Sequence, residues 1–365
     1  MKKYTALLLA LLLTLSLTAC GQTEDTGDTE WEYPAAFAGL ETLVEQAQAE
    51  GSLTVYGSCP AAYLTAACET FETLFNVRVS YQQVSDQAVL DKLSKPGRPG
   101  ADVWFGADSG ALEQAASMGG LTAYVPTAAA GLSDSDFAGA DGQWYGVAVD
   151  PLGLRVNTAS LKAMEIGAPE DWADLTELEY WELVWLPGYD TTEGRLLAQA
   201  AWDAFGDKAE KYLLELDENV AQYTEDGDPA AKYVGTGECV VAVGLLSSGA
   251  AQRLENSYDD IRLVTPRSGT PYVLNGSAIL RGTAHSAAAQ LWMEFALSPT
   301  CQALAAMNGW YVWPTVENVS LPEDLAQLNV DLDGLTCRLP MGEDAEALDS
   351  LIDAVQTVLN PPAES

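Results

Sequence analysis

The stretch from Gly51 to Asp108 constrains the fold most, because its apolar residues switch period four times within sixty positions. Leu53 to Tyr56 is a short run with a β-branched residue, ended by Gly57 and Pro60, and reads as a strand. Leu64, Ala67, Cys68, Phe71, Leu74 and Phe75 recur at helical spacing and mark the buried face of an amphipathic helix. Val77, Val79 and Tyr81 alternate with polar residues as a second strand. Ala101 to Phe105 is a third, stopped by Gly106. Strands alternating with helices imply an α/β fold, a parallel sheet covered on both faces. In such sheets ligands collect beyond the carboxyl ends of the strands. Two loops are thereby placed at a site, Gly57-Ser58-Cys59-Pro60 and Gly106-Ala107-Asp108.

The same residues carry a resemblance. LTVYGSCPAAYLTAACETFE, ADVWFGAD and the later VGTGECVVAVG resemble bacterial ABC-transporter solute-binding lipoproteins of family 1, the iron(III)- or phosphonate-type group. The similarity runs from about Gly51 to Pro314. It implies a two-lobed, type II periplasmic-binding-protein-like fold with a two-crossover hinge. It also implies a protein that delivers a small polar solute, phosphate- or phosphonate-like, or a metal chelate, to a membrane permease, without a cofactor or catalytic residues.

Length agrees with two lobes, since 365 residues exceed what one hydrophobic core usually holds. The formal net charge of −36 makes nucleic acid and anionic lipid poor partners for the surface. At the N-terminus, Lys2 and Lys3 precede an apolar run from Ala6 to Leu17, then Leu17-Thr18-Ala19-Cys20-Gly21. A basic start, a short apolar stretch and small residues before a cut site make a secretory signal over 1–19. The run is short for a membrane span. Cys20 in the first mature position resembles a lipobox, which implies a lipid anchor on the outer side of the cytoplasmic membrane. Residues 20–33 are acidic and aperiodic, a disordered tether reaching on the order of 20 Å. A monomer is expected.

Of the remaining thiols, Cys59, Cys68, Cys239, Cys301 and Cys337, an odd number cannot all pair within the chain. Cys59 and Cys68 stand about 13 Å apart along a helix, beyond the roughly 7 Å a disulfide tolerates, so no bridge between them is expected. With no CxxC spacing and His285 as the single histidine, a structural zinc site is not expected either.

Further along, Gln143 to Val156 holds two β-like runs around Asp150-Pro151, and reads as a crossover between lobes that can bend. Its return lies near Ile261 to Tyr272. Lobe 1 is thus expected over 34–149 and 270–320, lobe 2 over 151–267, and a C-terminal helical segment over 321–365. In lobe 2 a strand over Leu183 to Leu186 leads to the loop Pro187 to Thr192 and a helix from Glu193. Asp207 and Glu210 have the spacing of a capping box. Ser298 before Pro299 reads as an N-cap and first helical residue.

Candidate ligand-binding residues follow. Gly57, Ser58, Cys59, Ala107 and Asp108 stand at lobe 1 strand ends, and Asp150 at the crossover. Tyr189, Thr191 and Thr192 open a helix whose N–H groups and dipole favour an anion, with Arg195 one turn in. Thr224, Asp226 and Gly227 form a second loop, where the resemblance implies small hydroxyl residues and glycines. Its three acids, Glu225, Asp226 and Asp228, suit instead an amine-bearing ligand such as an aminoalkylphosphonate, or a cation. Tyr272 and other aromatics near strand ends, Trp104, Trp144, Tyr145, Trp310, Tyr311 and Trp313, divide between cleft wall and core. Iron(III) binders of this superfamily carry adjacent tyrosines where this chain has Leu246-Ser247-Ser248, so the resemblance stops short of a ferric site. His285 falls in a surface turn, with nothing in the sequence aiming it at a serine or cysteine. A ferric-iron binding protein of an iron importer, a sensory binding module, and a secreted hydrolase or transferase on a similar scaffold remain the other readings.

Overall fold

The computed structural model describes residues 33–225 and 227–360. The expected signal and anchor, Cys20, nearly all of the tether, and Asp226 lie outside the described residues. Helix α1 (Glu41–Glu50) ends on Gly51, whose φ of +75° gives the left-handed turn into β1 (Ser52–Gly57). Helix α2 (Ala61–Phe75) buries Tyr63, Leu64, Ala67, Cys68, Phe71 and Phe75, essentially the face that the spacing predicts. Strand β2 (Arg78–Gln83), helix α3 (Asp86–Leu93), strand β3 (Val103–Asp108), helix α4 (Ser109–Ser117) and strand β4 (Leu121–Thr122) complete the first run. β2 is an edge strand and leaves Tyr81 exposed. Gly106 does not stop β3. Its φ of +69° is accommodated inside the strand, which continues to Asp108 and pairs with its neighbour through Ala107 and Asp108. Ala107 is therefore a buried strand residue rather than a loop residue.

The longest strand, β5 (Tyr145–Asn157), joins the two halves. It is buried along its whole length and continues unbroken through Asp150-Pro151. Ladders along both parts of the strand hold it. Residues 145–151 pair with β10 (Tyr272–Leu280), residues 152–156 with β8 (Val241–Leu245), and residues 154–157 with β9 (Ile261–Val264).

The second half is built after α5 (Thr158–Met164) from β6 (Val184–Pro187), α6 (Thr192–Phe205), α7 (Ala209–Asp217), β7 (Val220–Thr224), α8 (Gly227–Thr236), β8, and α9 (Leu246–Asn256). The expected capping box at Asp207 and Glu210 is not formed. Asp207 lies in a short 3-10 turn begun at Gly206, and Lys208 stands in the N-cap position of α7 without a side-chain cap. After β10 the chain adds α10 (Ser286–Ala296), α11 (Pro299–Met307), α12 (Glu323–Ala326) and α13 (Glu343–Leu359). Ser298 does cap α11, its Oγ accepting from the Cys301 amide.

The sheet order is β2-β1-β3-β10-β5-β8-β6-β7. Strands β1, β2 and β3 run parallel, as do β6, β7 and β8; β10 runs against the first set, β5 against the second, and the two run against each other. The sheet is thus mixed at its centre and parallel at its wings. One core packs Tyr63, Phe71, Phe75, Trp292 and Phe295, and the last four rings meet at tilted and edge-on angles. Another, in the second half, holds Trp172, Leu186, Leu196 and Leu213, and α13 docks there through Leu351, Ile352 and Val355. The final helix therefore belongs by packing to the second half.

Candidate functional site

The register fixes where the strand tips meet. Asp108, at the end of β3, lies beside Asn275, which pairs with Ala148 on β5. Leu245, at the end of β8, pairs with Leu152 on the same strand. Four residues of strand separate these levels, about 13 Å. The carboxyl ends of the parallel strands in both halves thus face each other across a mouth floored by β5, with Asp150 midway.

On the first side, the β1 and β3 loops are locked together. The Ser58 amide donates to the Phe105 carbonyl (2.9 Å) and Trp104 Nε1 donates to Ser58 Oγ (2.9 Å). A Cβ on Gly106 would lie 2.4 Å from Cys59 Cβ, so only glycine permits this approach. Cys59 itself is buried, so its side chain serves packing and only its backbone borders the mouth. Asp108 caps α4 by accepting from the Gly110 amide (2.8 Å), while its own amide donates to Asp86 Oδ2 (3.2 Å). Burial pushes both carboxyls upward, and the two charges work against each other in Asp86. Hydrogen bonds from Ser58 to Asp86 and from the α4 amides to Asp108 oppose that rise. No side chain caps α2, whose N-cap is Pro60.

On the second side, Thr191 caps α6: its Oγ1 accepts from the Gly194 amide (3.0 Å) and donates to the Gly188 carbonyl (2.7 Å). A Cβ on Gly194 would sit 2.0 Å from that carbonyl oxygen, so glycine is required for the loop to fold back on the helix. Thr192 is exposed. Thr224 is buried at the end of β7 and donates to the Leu186 carbonyl (3.4 Å), and Gly227 opens α8. Two expected contacts are not brought to the mouth. Tyr189 turns into the core beside Tyr223, ring centroids 6.3 Å apart. Arg195 points away to α13, where its Nη1 lies 2.7 Å from Asp349 Oδ1.

Asp150 is occupied as well. Its carboxylate accepts from the Ser247 amide (3.0 Å) and hydroxyl, so a residue of the shared strand caps α9. Burial pushes this carboxyl up to about 7, against the Ser247 hydrogen bonds and with nearby Glu193 adding to the rise. Arg155 Nη1 donates to Ser248 Oγ (2.7 Å), so both serines at the place of the tyrosine pair have partners.

The halves also border a cavity of about 740 Å3, with Ser109 and Gly110 in its lining. The start of α4, α6 through Trp202 and Asp203, Tyr272, and the segment leading into α13 line it. Tyr272 is buried against Phe137, edge-on at 5.7 Å, and burial pushes its hydroxyl up to about 12. Of the other aromatics, Trp104, Trp144, Tyr145 and Trp313 are buried, and Trp310 and Tyr311 only partly so.

Sequence reasoning passes over Asp86, Glu193, Ser247 and Arg338. Only Arg338 carries a signal that could find it: it is the sole Lys or Arg after Arg281. His285 stands in the surface turn before α10, as expected, but its ring has partners there. Its Nδ1 lies 2.9 Å from Asp102 Oδ2 and its Nε2 3.3 Å from Ser52 Oγ. This Ser–His–Asp arrangement stands at the amino ends of β1 and β3, away from the mouth. The adjacent α10 amides of Ala287 and Ala288 donate to Glu50 (3.1 and 2.9 Å), which leaves them no part in holding an oxyanion.

Comparison with known proteins agrees with this architecture. A protein of Haemophilus influenzae, described as an uncharacterized protein, is 29% identical over 279 residues, 74% of this chain and 80% of that protein. The periplasmic binding protein AfuA from Actinobacillus pleuropneumoniae, solved with exogenous fructose-6-phosphate bound, is 26% identical, with a TM-score of 0.63. That match covers 86% of this chain and all (100%) of AfuA. The Trichodesmium protein IdiA (FutA), solved with iron and citrate, shares the fold at 16% identity and a TM-score of 0.69, over 84% of this chain and 99% of that one. Residues 99–333 match the model of the family described as bacterial extracellular solute-binding protein, and the chain belongs to that family.

Proposed function

We propose that this chain is the solute-binding component of an ABC importer, and that it captures a small polar, anionic solute of the phosphate or phosphonate class between its halves. The observation that carries the reading is the convergence of strand tips from both halves on β5 within about 13 Å. The start of α2 without a side-chain cap and the exposed Thr192 at the start of α6 supply anion-binding groups on opposite sides. Similarity to AfuA at 26% identity supports a phosphorylated solute. The carboxylates of Asp86, Asp108 and Glu193 around the same mouth suit an amine or hydroxyl groups on that solute, as in an aminoalkylphosphonate or a sugar phosphate.

Lobe 1 in this reading is 34–149 with 270–320, and lobe 2 is 151–267 with α13 added to it. Solute bridging the lobes stabilises a closed form through contacts it makes preferentially there. The chain acts by binding and not by turnover. A signal over 1–19 exports it, a lipid on Cys20 anchors it outside the cytoplasmic membrane, and it meets its permease as a monomer. Among the described residues no helix is long and apolar enough to cross a membrane.

Calorimetric titration of the purified soluble chain with fructose 6-phosphate, 2-aminoethylphosphonate, inorganic phosphate and ferric citrate tests the reading. A phosphoryl or phosphonyl compound is expected to bind and to raise the thermal midpoint. Binding of ferric citrate alone, or of none of the four, overturns the solute class.

A further inference from the structure

The segment between α12 and α13 is bound to the junction between the halves. The Thr270 amide donates to the Gly334 carbonyl (2.9 Å), the Thr336 amide to Thr270 (2.8 Å) and the Tyr272 amide to Cys337 (3.0 Å). Residues 334–337 thus lie alongside the entry to β10 like an added strand. Thr336 Oγ1 also donates to Asp203 Oδ2 on α6 (2.7 Å). Beyond it α13 docks on the second half. The next residue after this clasp, Arg338, reaches back toward the first half. Its guanidinium lies 5.0 Å over the Trp144 ring and 3.8 Å from Glu113 Oε1 on α4.

Among the described residues Arg338 is the only cation lining the 740 Å3 cavity, which also holds Glu113, Asp136, Asp203 and Asp344. An anionic solute entering that acidic space is repelled unless a cation meets it. Its ion pair with Glu113 is long and both side chains are partly exposed, 27% and 31%, so it holds the guanidinium only loosely. The planar fork suits two oxygens of a phosphoryl or phosphonyl group, and stacking on Trp144 fixes its plane. Its charge already reaches the neighbouring site groups, lowering Asp108 and Tyr272 against the rise that burial imposes.

We propose that Arg338, carried into the interlobe cavity by the C-terminal strap, is a specificity-determining residue that receives the anionic end of the solute. This rests on the solute class proposed above. It makes the strap part of the binding site, although the strap lies far along the chain from the strand-tip loops.

The test is calorimetry on the full chain and on R338M, R338K and E113Q, with fructose 6-phosphate, 2-aminoethylphosphonate and inorganic phosphate, and fructose as the uncharged control. R338M keeps the aliphatic stem over Trp144 and is expected to weaken the probe that binds by tenfold or more. R338K is expected to recover part of that loss. E113Q removes the competing carboxylate and is expected to tighten binding about threefold. Fructose affinity is expected to be equal in all four proteins. If a phosphoryl probe binds the unmodified chain and R338M alike, the role of Arg338 is overturned while the importer reading stands. If R338M fails to fold, unchanged affinity in both R338K and E113Q overturns it. If no phosphoryl or phosphonyl probe binds the unmodified chain, the solute class falls and this proposal with it.

Discussion

The Asp150 carboxylate accepts two hydrogen bonds from Ser247, one from its amide at 3.0 Å and one from its hydroxyl, and so ties the strand common to both halves to the first turn of α9. Burial holds this carboxyl near 7, well above the 3.8 of a free aspartate. Between these values the folded chain keeps a proton that the unfolded chain has lost. This group's contribution to stability therefore falls as pH rises from about 4 to about 7, and is flat above that. Asp150→Asn keeps the shape and removes the titration. Urea unfolding from pH 5 to 8 should show the variant gaining on the parent as pH rises, by up to about 3 kcal/mol. A gap independent of pH would contradict the assignment.

Gly106 holds the two first-side loops in contact. Any Cβ there combines a left-handed φ of +69° with a 2.4 Å approach to Cys59. Gly106→Ala should cost about 2–4 kcal/mol in denaturant unfolding, from backbone strain plus overpacking. It should also weaken solute binding, because Ser58 is displaced with Cys59. A stable variant of unchanged affinity would show that the loops move independently.

Asp102 gathers the amino ends of β1 and α10. It accepts from the Thr54 amide (2.9 Å) and Thr283 Oγ1 (2.7 Å), and lies 2.9 Å from His285 Nδ1. Burial raises its carboxyl, but hydrogen bonds from Thr283, His285 and Thr54 outweigh that and leave it lowered. Its contribution is present above the ordinary carboxylate range and is lost as pH falls through its lowered value. Asp102→Ala should cost about 3–5 kcal/mol at pH 7, shrinking toward pH 3. Ser52→Ala, which removes one long hydrogen bond, should cost about 1 kcal/mol or less.

The five described thiols are free, four of them buried. Burial pushes Cys59, Cys239 and Cys337 up to about 12, with Asp203 adding to the rise at Cys337. Cys68 and Cys301 rise further for the same reason. Thiolate is the reacting form, so the folded soluble chain at pH 8 should react slowly with a disulfide reagent. In guanidinium all five should titrate within minutes. Rapid reaction of two or more thiols in the native chain would show that these positions open to solvent.

Local patterns carried much of this chain. The apolar spacing from Leu64 to Phe75 gives α2 its buried face, and the Ser298-Pro299 pair starts α11, because each depends on neighbours within one or two turns. Thr191 and Asp108 were legible as helix starts for the same reason: Asp108 ends β3, Thr191 lies in the loop after β6, and each caps the helix that follows. The sequence alone therefore determined the alternation of strands and helices, and with it which ends of the strands face the mouth. What each side chain does at that mouth was decided only in three dimensions. Asp150 caps a helix that starts 96 residues later, and Arg195 pairs with Asp349 on the last helix. Arg338 returns from the far end of the chain to the cavity. The physical reason is range: periodicity records which face of an element is buried, whereas a charge takes whatever partner the packed fold brings within a few ångströms of it.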